Sequence, residues 1–90
     1  MSLWKRDPQT LGERLRLVRN EHGMTQGQAA QLLGVSRCQV TDYEHGQEVP
    51  LPVLVTFCAV FAVRWYWLLL GSGQRDTPAS LLFAADILLL

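Results

Sequence analysis

Thr25 to Gly46 reads TQGQAAQLLGVSRCQVTDYEHG, and this stretch decides the fold. It holds two helix starts. Thr25 is followed three residues on by Gln28, and Ser36 by Gln39. Each hydroxyl can accept from the backbone N–H of that third residue, while the glutamine amide reaches back to the cap: a capping box. Gly34 and Gly46 end the two segments, because glycine adopts the left-handed backbone in which helices stop. Ala29, Ala30, Leu32 and Leu33 form the predicted apolar side of the first segment, and Val35 packs beneath the turn. Val40 and Tyr43, three apart on one face, are the core residues of the second. That leaves Arg37, Cys38, Thr41 and Asp42 to point outward.

Two short helices joined by a tight turn form a helix-turn-helix layout, whose second helix can enter the major groove of DNA. Working outward, Leu11 to Glu21 is a predicted helix. Thr10 is its N-cap, with Glu13 at the capping-box position, and Gly23 is its stop. Leu11, Leu15 and Val18 make its buried stripe, with His22 at the end as a stripe or capping residue. Val49-Pro50-Leu51-Pro52 reads as a stiff extended link, since each proline restricts the residue before it. A fourth helix is predicted over Val53 to Phe61, burying Leu54, Phe57, Cys58 and Phe61. A short fifth runs from Trp65 to Leu70 and ends at Gly71. Its Trp65 and Trp67 are expected as packing or dimer anchors.

The chain thus divides into an N-terminal arm (1–9), a helical domain (10–71), a linker (72–76) and a C-terminal apolar helix (77–90). Thr77-Pro78 gives that last helix an N-cap and a proline at its first position. Leu81, Leu82, Ala85, Leu88 and Leu89 form one broad stripe, suited to packing or dimerisation. A helix apolar nearly all round seeks burial.

Ninety residues suit one small domain, yet 49% are hydrophobic, which favours a partner subunit to bury the excess. Eight basic residues offset eight acidic ones, for a net charge of +0. Whole-chain charge therefore lends nucleic-acid binding no help, and a local patch must supply it. Lys5 and Arg6 in the arm can reach a phosphate. Cys38 and Cys58 have no metal-ligand spacing, and both fall inside helices, against a disulfide. No metal and no cofactor is expected. The absence of an apolar signal segment, and of an apolar run long enough for a bilayer, predicts a cytoplasmic protein and no membrane partner.

The outward side chains carry a specific chemistry. Arg37 can make a bidentate contact with guanine, Cys38 can meet a thymine methyl, Thr41 can do the same or donate a hydrogen bond, and Asp42 can accept from cytosine. Gln26, at the start of the first of the two helices, can join the free backbone N–H groups in holding a phosphate. His45 and Gln47 sit at a second backbone-contact point. Gln39 adds a further polar contact if its side chain is not held in the cap. An enzyme is not expected: no nucleophile–base pair appears, and Asp42 and Glu44, two apart, share no helix face.

Over residues 11–71, LGERLRLVRNEHGMTQGQAAQLLGVSRCQVTDYEHG and the later FAVRWYWLLLG resemble the Cro/C1-type helix-turn-helix family of phage-repressor and XRE-like domains. The resemblance implies an all-α fold: a compact five-helix, lambda-repressor-like DNA-binding domain, here followed by the C-terminal apolar helix. It implies dimers on operator DNA with the third helix in the major groove. Gln26 falls at the family's phosphate-contacting glutamine, Arg37 and Cys38 at the first reading positions, and Thr41 and Asp42 at later ones. Arg19 and Glu44 fall where phage repressors have a partly buried ion pair tying the first helix to the third. His45 stands where the family often has an asparagine facing a phosphate. Two departures stand out. Gln47, Glu48 and Val49 occupy places where the family often has lysines or arginines, and Arg64 replaces a small polar helix cap.

The expectation is a sequence-specific double-stranded DNA-binding transcriptional regulator, repressor-like and homodimeric, with helix 36–45 in the major groove. The alternative is a protein-interaction module on the same scaffold, such as an antitoxin-like or anti-repressor partner. Zero net charge and acidic residues near the reading face favour that alternative.

Overall fold

The computed structural model describes residues 8–73 and residue 75. The arm over 1–7 and the helix expected over 77–90, with Leu81, Leu82, Ala85, Leu88 and Leu89, lie outside the described residues. Five helices follow one another: α1 (Leu11–Glu21), α2 (Gln26–Leu33), α3 (Arg37–Glu44), α4 (Leu51–Phe61) and α5 (Trp65–Leu70). The described residues are thus helical and turn-linked, as the caps and glycines dictate.

Local chemistry sets the helix ends. Thr25 and Ser36 make complete, reciprocal capping boxes with Gln28 and Gln39. The box at α1 is only half made. The Thr10 hydroxyl accepts from the Glu13 N–H at 3.1 Å but donates its own proton to the Glu13 carboxylate. Helix α4 starts at Leu51, two residues before the position predicted from its prolines. Pro50 is its N-cap and Pro52 lies in its first turn, where a missing N–H costs nothing. Ala62 ends α4 in the left-handed region at φ 53°, a place usually taken by glycine.

Helix α3 packs against both α1 and α2, α5 packs on α1 and α4, and α4 also touches α2. Leu15 and Val18 of α1, Tyr43 of α3, Phe57 and Phe61 of α4, Trp67 and Leu68 of α5, and the linking residues Val49 and Val63 share one core. Ala29 and Ala30 are buried where α2 meets its neighbours. Gly12 sets the approach of α1 to the end of α3. A Cβ there would stand 2.7 Å from the carbonyl oxygens of both Tyr43 and Glu44.

One sequence assignment needs correction, and two alternatives are resolved. Leu32 is exposed, because the apolar side of α2 is centred on Ala29, Ala30 and Leu33 rather than on all four residues. Of the two tryptophans expected as packing or dimer anchors, Trp67 is buried in the core and Trp65 is 64% exposed. His22 is the exposed C-cap of α1, the capping role rather than the stripe. Its Nδ1 pairs with the Val18 carbonyl at 2.9 Å, and its ring stands edge-on to Phe61.

Arg14, charged and on α1, is buried in the core side of that helix. Its Nε donates to the Leu68 carbonyl at 2.6 Å and its Nη2 to the Leu69 carbonyl at 3.0 Å. These carbonyls belong to the last turn of α5 and have no intrahelical donor. A cation there also faces the negative end of the helix dipole. The contact is close: a Cβ on Gly71 would lie 2.8 Å from Arg14 Nη1.

Candidate nucleic-acid interface

The starts of α2 and α3 lie next to each other. Between them lies a polar groove lined by Arg19, Thr25, Gln26, Gly27 and Arg37. The first-turn N–H groups of each helix have no partner within the helix, so both ends present positive partial charge. Arg37, Cys38 and Asp42 are exposed on α3, and Thr41 is half-buried beside them. Arg37 and Thr41 are four apart, one turn above the other on a single face.

Behind this face runs a continuous hydrogen-bonded chain. Arg19 Nε and Nη2 donate to the two Glu44 carboxylate oxygens at 2.6 and 3.0 Å, and Nη1 donates to the Met24 carbonyl at 2.8 Å. The ion pair is well shielded, with side-chain exposures of 11% for Arg19 and 3% for Glu44. Glu44 Oε1 also accepts from Gln26 Nε2 at 3.1 Å, and Gln26 Oε1 accepts from the Thr41 hydroxyl at 2.7 Å. The pair thus joins α1 to α3 and reaches the outer face through α2. The sequence showed no sign that Gln26 would bond to both Glu44 and Thr41, because the three residues lie on different turns of two helices.

The other expected contacts are placed as follows. Gln39 is held in the cap: its Oε1 accepts from the Ser36 N–H at 2.8 Å, which leaves only its amide hydrogens for an outside partner. His45 Nδ1 meets the Thr41 carbonyl at 2.7 Å. A carbonyl can only accept, so Nδ1 carries the proton and Nε2 is left for an outside partner. Gln47 is exposed after α3, its N–H donating to the Asp42 carbonyl at 2.9 Å. Glu48 is exposed next to it.

The arginines divide between two tasks. Arg14 and Arg19 are consumed inside the fold. Arg75 pairs with Glu21 and lies 5.3 Å from the centre of the Trp67 ring. Arg16 and Arg37 are exposed. Interior use of cations therefore removes charge that a plain count assigns to the surface. Cys38 and Cys58 are free thiols, and burial pushes the Cys58 thiol up from its ordinary value. Among the described residues there is no cluster of three or more His, Cys, Asp or Glu able to hold a metal ion. None of the described helices is long and apolar enough to cross a membrane.

Comparison with known proteins agrees with this geometry. Residues 10–64 match the model of a family described as "Helix-turn-helix domain". Among solved structures, the chain is similar to a hypothetical transcription factor, NHTF, from Neisseria. Identity is 25% and the TM-score 0.63, with 88% of this chain and 83% of that one covered. It is also similar to a transcriptional regulator from Listeria innocua, at 26% identity and a TM-score of 0.63, covering 89% of this chain and 75% of that one. No curated protein matches the chain.

Proposed function

The chain belongs to the helix-turn-helix domain family, and from that premise we propose that it is a double-stranded DNA-binding transcriptional regulator of the Cro/C1 kind. In this reading it is a repressor-like homodimer that lays α3 in the major groove. The observation that carries the proposal is the polar groove that the α2 and α3 starts line together, with Arg37 exposed at the second. Arg37 reads guanine in a bidentate contact; Cys38, Thr41 and Asp42 meet neighbouring base edges. The start of α2, with Gln26, holds one phosphate, and Gln47 holds another, joined by His45 Nε2 when the ring carries a proton on both nitrogens. Gln39 contributes its amide hydrogens.

The homodimer is supported by apolar side chains on α4 and α5 that no part of the described fold covers: Leu51, Val55, Trp65, Tyr66, Leu69 and Leu70 are exposed. Two recognition helices about 34–36 Å apart would then meet successive turns of one groove. The domain limits of 10–71, and packing or pairing through 77–90, are part of the same proposal.

A second reading, a protein-interaction module on this scaffold, draws support from the burial of Arg14 and Arg19. With those charges spent inside, few remain for phosphates. A duplex titration at low and moderate salt separates the two. Sequence-selective binding that weakens with salt supports the regulator, since each released counterion contributes a slope of about −0.9 per neutralised phosphate. Absence of selective binding, together with a stable complex with another protein, would support the module.

A further inference from the structure

The chain from Arg19 to Thr41 has a fixed direction of donation. Arg19 can only donate, so Glu44 accepts from it as a carboxylate. Glu44 can then only accept from Gln26, so the Gln26 amide nitrogen must face Glu44 and its oxygen must face Thr41. That oxygen can only accept, so the Thr41 hydroxyl must donate to it. The other acceptor near the hydroxyl is the Arg37 carbonyl of its own helix, longer at 3.2 Å and exposed. The bond to Gln26 is the shorter, at 2.7 Å, and it spends the hydroxyl proton within the protein, so Thr41 offers its oxygen lone pairs to an outside partner.

We infer that Gln26 is a positioning residue that fixes the polarity of Thr41, so that Thr41 reads its base as an acceptor. The inference rests on the reading that α3 enters the major groove. In that groove adenine N6 and cytosine N4 offer hydrogens, while guanine and thymine offer only acceptor oxygens and nitrogen. Thr41 therefore favours adenine or cytosine on the strand it faces and disfavours guanine or thymine. To donate outward it would have to abandon Gln26 Oε1, leaving a part-buried acceptor without its donor. An ion pair between α1 and α3 thus sets a base preference on the opposite side of the fold's wall, through one amide.

The test uses the full chain and a selected duplex in which each base pair is varied singly, with affinities read by competition. The unmodified protein is expected to prefer adenine or cytosine over guanine or thymine at one position per half-site by about three- to tenfold, the range for one hydrogen bond. In Gln26→Met the hydroxyl keeps only the longer, exposed contact to the Arg37 carbonyl and is free to turn outward, so the preference at that position is expected to fall to within about twofold while the profile elsewhere holds. Thr41→Val, equal in shape but lacking the hydroxyl, is expected to flatten the same position and decides the matter if Gln26→Met does not fold. A uniform loss of affinity with an unchanged profile in these variants would mark a purely structural role and overturn the inference. No adenine or cytosine preference in the unmodified protein would overturn it as well. Loss of all sequence selectivity in the unmodified protein would instead overturn the groove reading, and the inference with it.

Discussion

Replacing Arg19 with methionine removes three donors while keeping most of the side-chain bulk. The Glu44 carboxylate, 3% exposed, would keep only Gln26 Nε2 as a donor among its present partners, and the Met24 carbonyl would lose its Nη1 contact. Leaving a buried charge unpaired costs about 3–5 kcal/mol. The orphaned carbonyl adds roughly 1 kcal/mol. A chain of this length has a stability of about 5–13 kcal/mol, so the variant would lose a large share of it. Urea unfolding followed by tryptophan fluorescence reads the loss. With a slope of about 1–1.5 kcal/mol/M for so small a domain, the midpoint should fall by about 3–6 M. Arg19→Met combined with Glu44→Leu removes both charges, and should recover much of the loss, because replacing a whole buried pair by apolar groups is often near neutral. The double-mutant cycle should then give a coupling of about 2–3 kcal/mol. A midpoint shift below about 0.5 M, or a coupling near zero, would refute the claim that this pair locks α1 to α3.

Gly12→Ala should destabilise by roughly 2–3 kcal/mol, since its methyl would meet two backbone carbonyls that cannot rotate away; thermal unfolding by circular dichroism checks it. Ala62→Gly should stabilise by about 1 kcal/mol and raise the melting temperature, because glycine bears the left-handed conformation at the end of α4 without steric cost. The two thiols should separate by reactivity. The thiolate is the reactive form, and the raised pKa of Cys58 keeps it protonated to higher pH than an ordinary thiol. At pH 8 a thiol reagent should therefore label exposed Cys38 first, with Cys58 catching up only as pH rises; mass spectrometry of digested protein reads the order.

The helix-turn-helix unit was legible because its signals are local. Thr25, Gln28, Ser36 and Gln39 encode two capping boxes, and Gly34 and Gly46 encode two stops, all within one turn of the residues they govern. What escaped was long-range. Arg14 lies on the apolar stripe of α1, three residues after Leu11 and four before Val18, so its place on the buried face could have been read. Its partners, the carbonyls of Leu68 and Leu69, could not: they are orphaned only because α5 is short and ends against α1. Gly12 likewise carries no local signal, since its role is to admit the backbone of α3. The first two residues of α4 fall in the stretch whose prolines suggest an extended link, because Pro52 restricts Leu51, although the first turn of a helix tolerates proline. On the candidate interface, residue types pointed to Arg37 and Thr41 but not to the bond that spends the Thr41 proton.

The most direct test of the account is the affinity of Arg37→Ala, set against the unmodified chain, for a duplex selected by the purified protein and for its single-base variants. The account predicts an unchanged fold and a loss of discrimination of about 1–3 kcal/mol at one guanine in each half-site, with other positions kept. An Arg37→Ala variant that binds the selected duplex and its guanine variants as the unmodified chain does would contradict it.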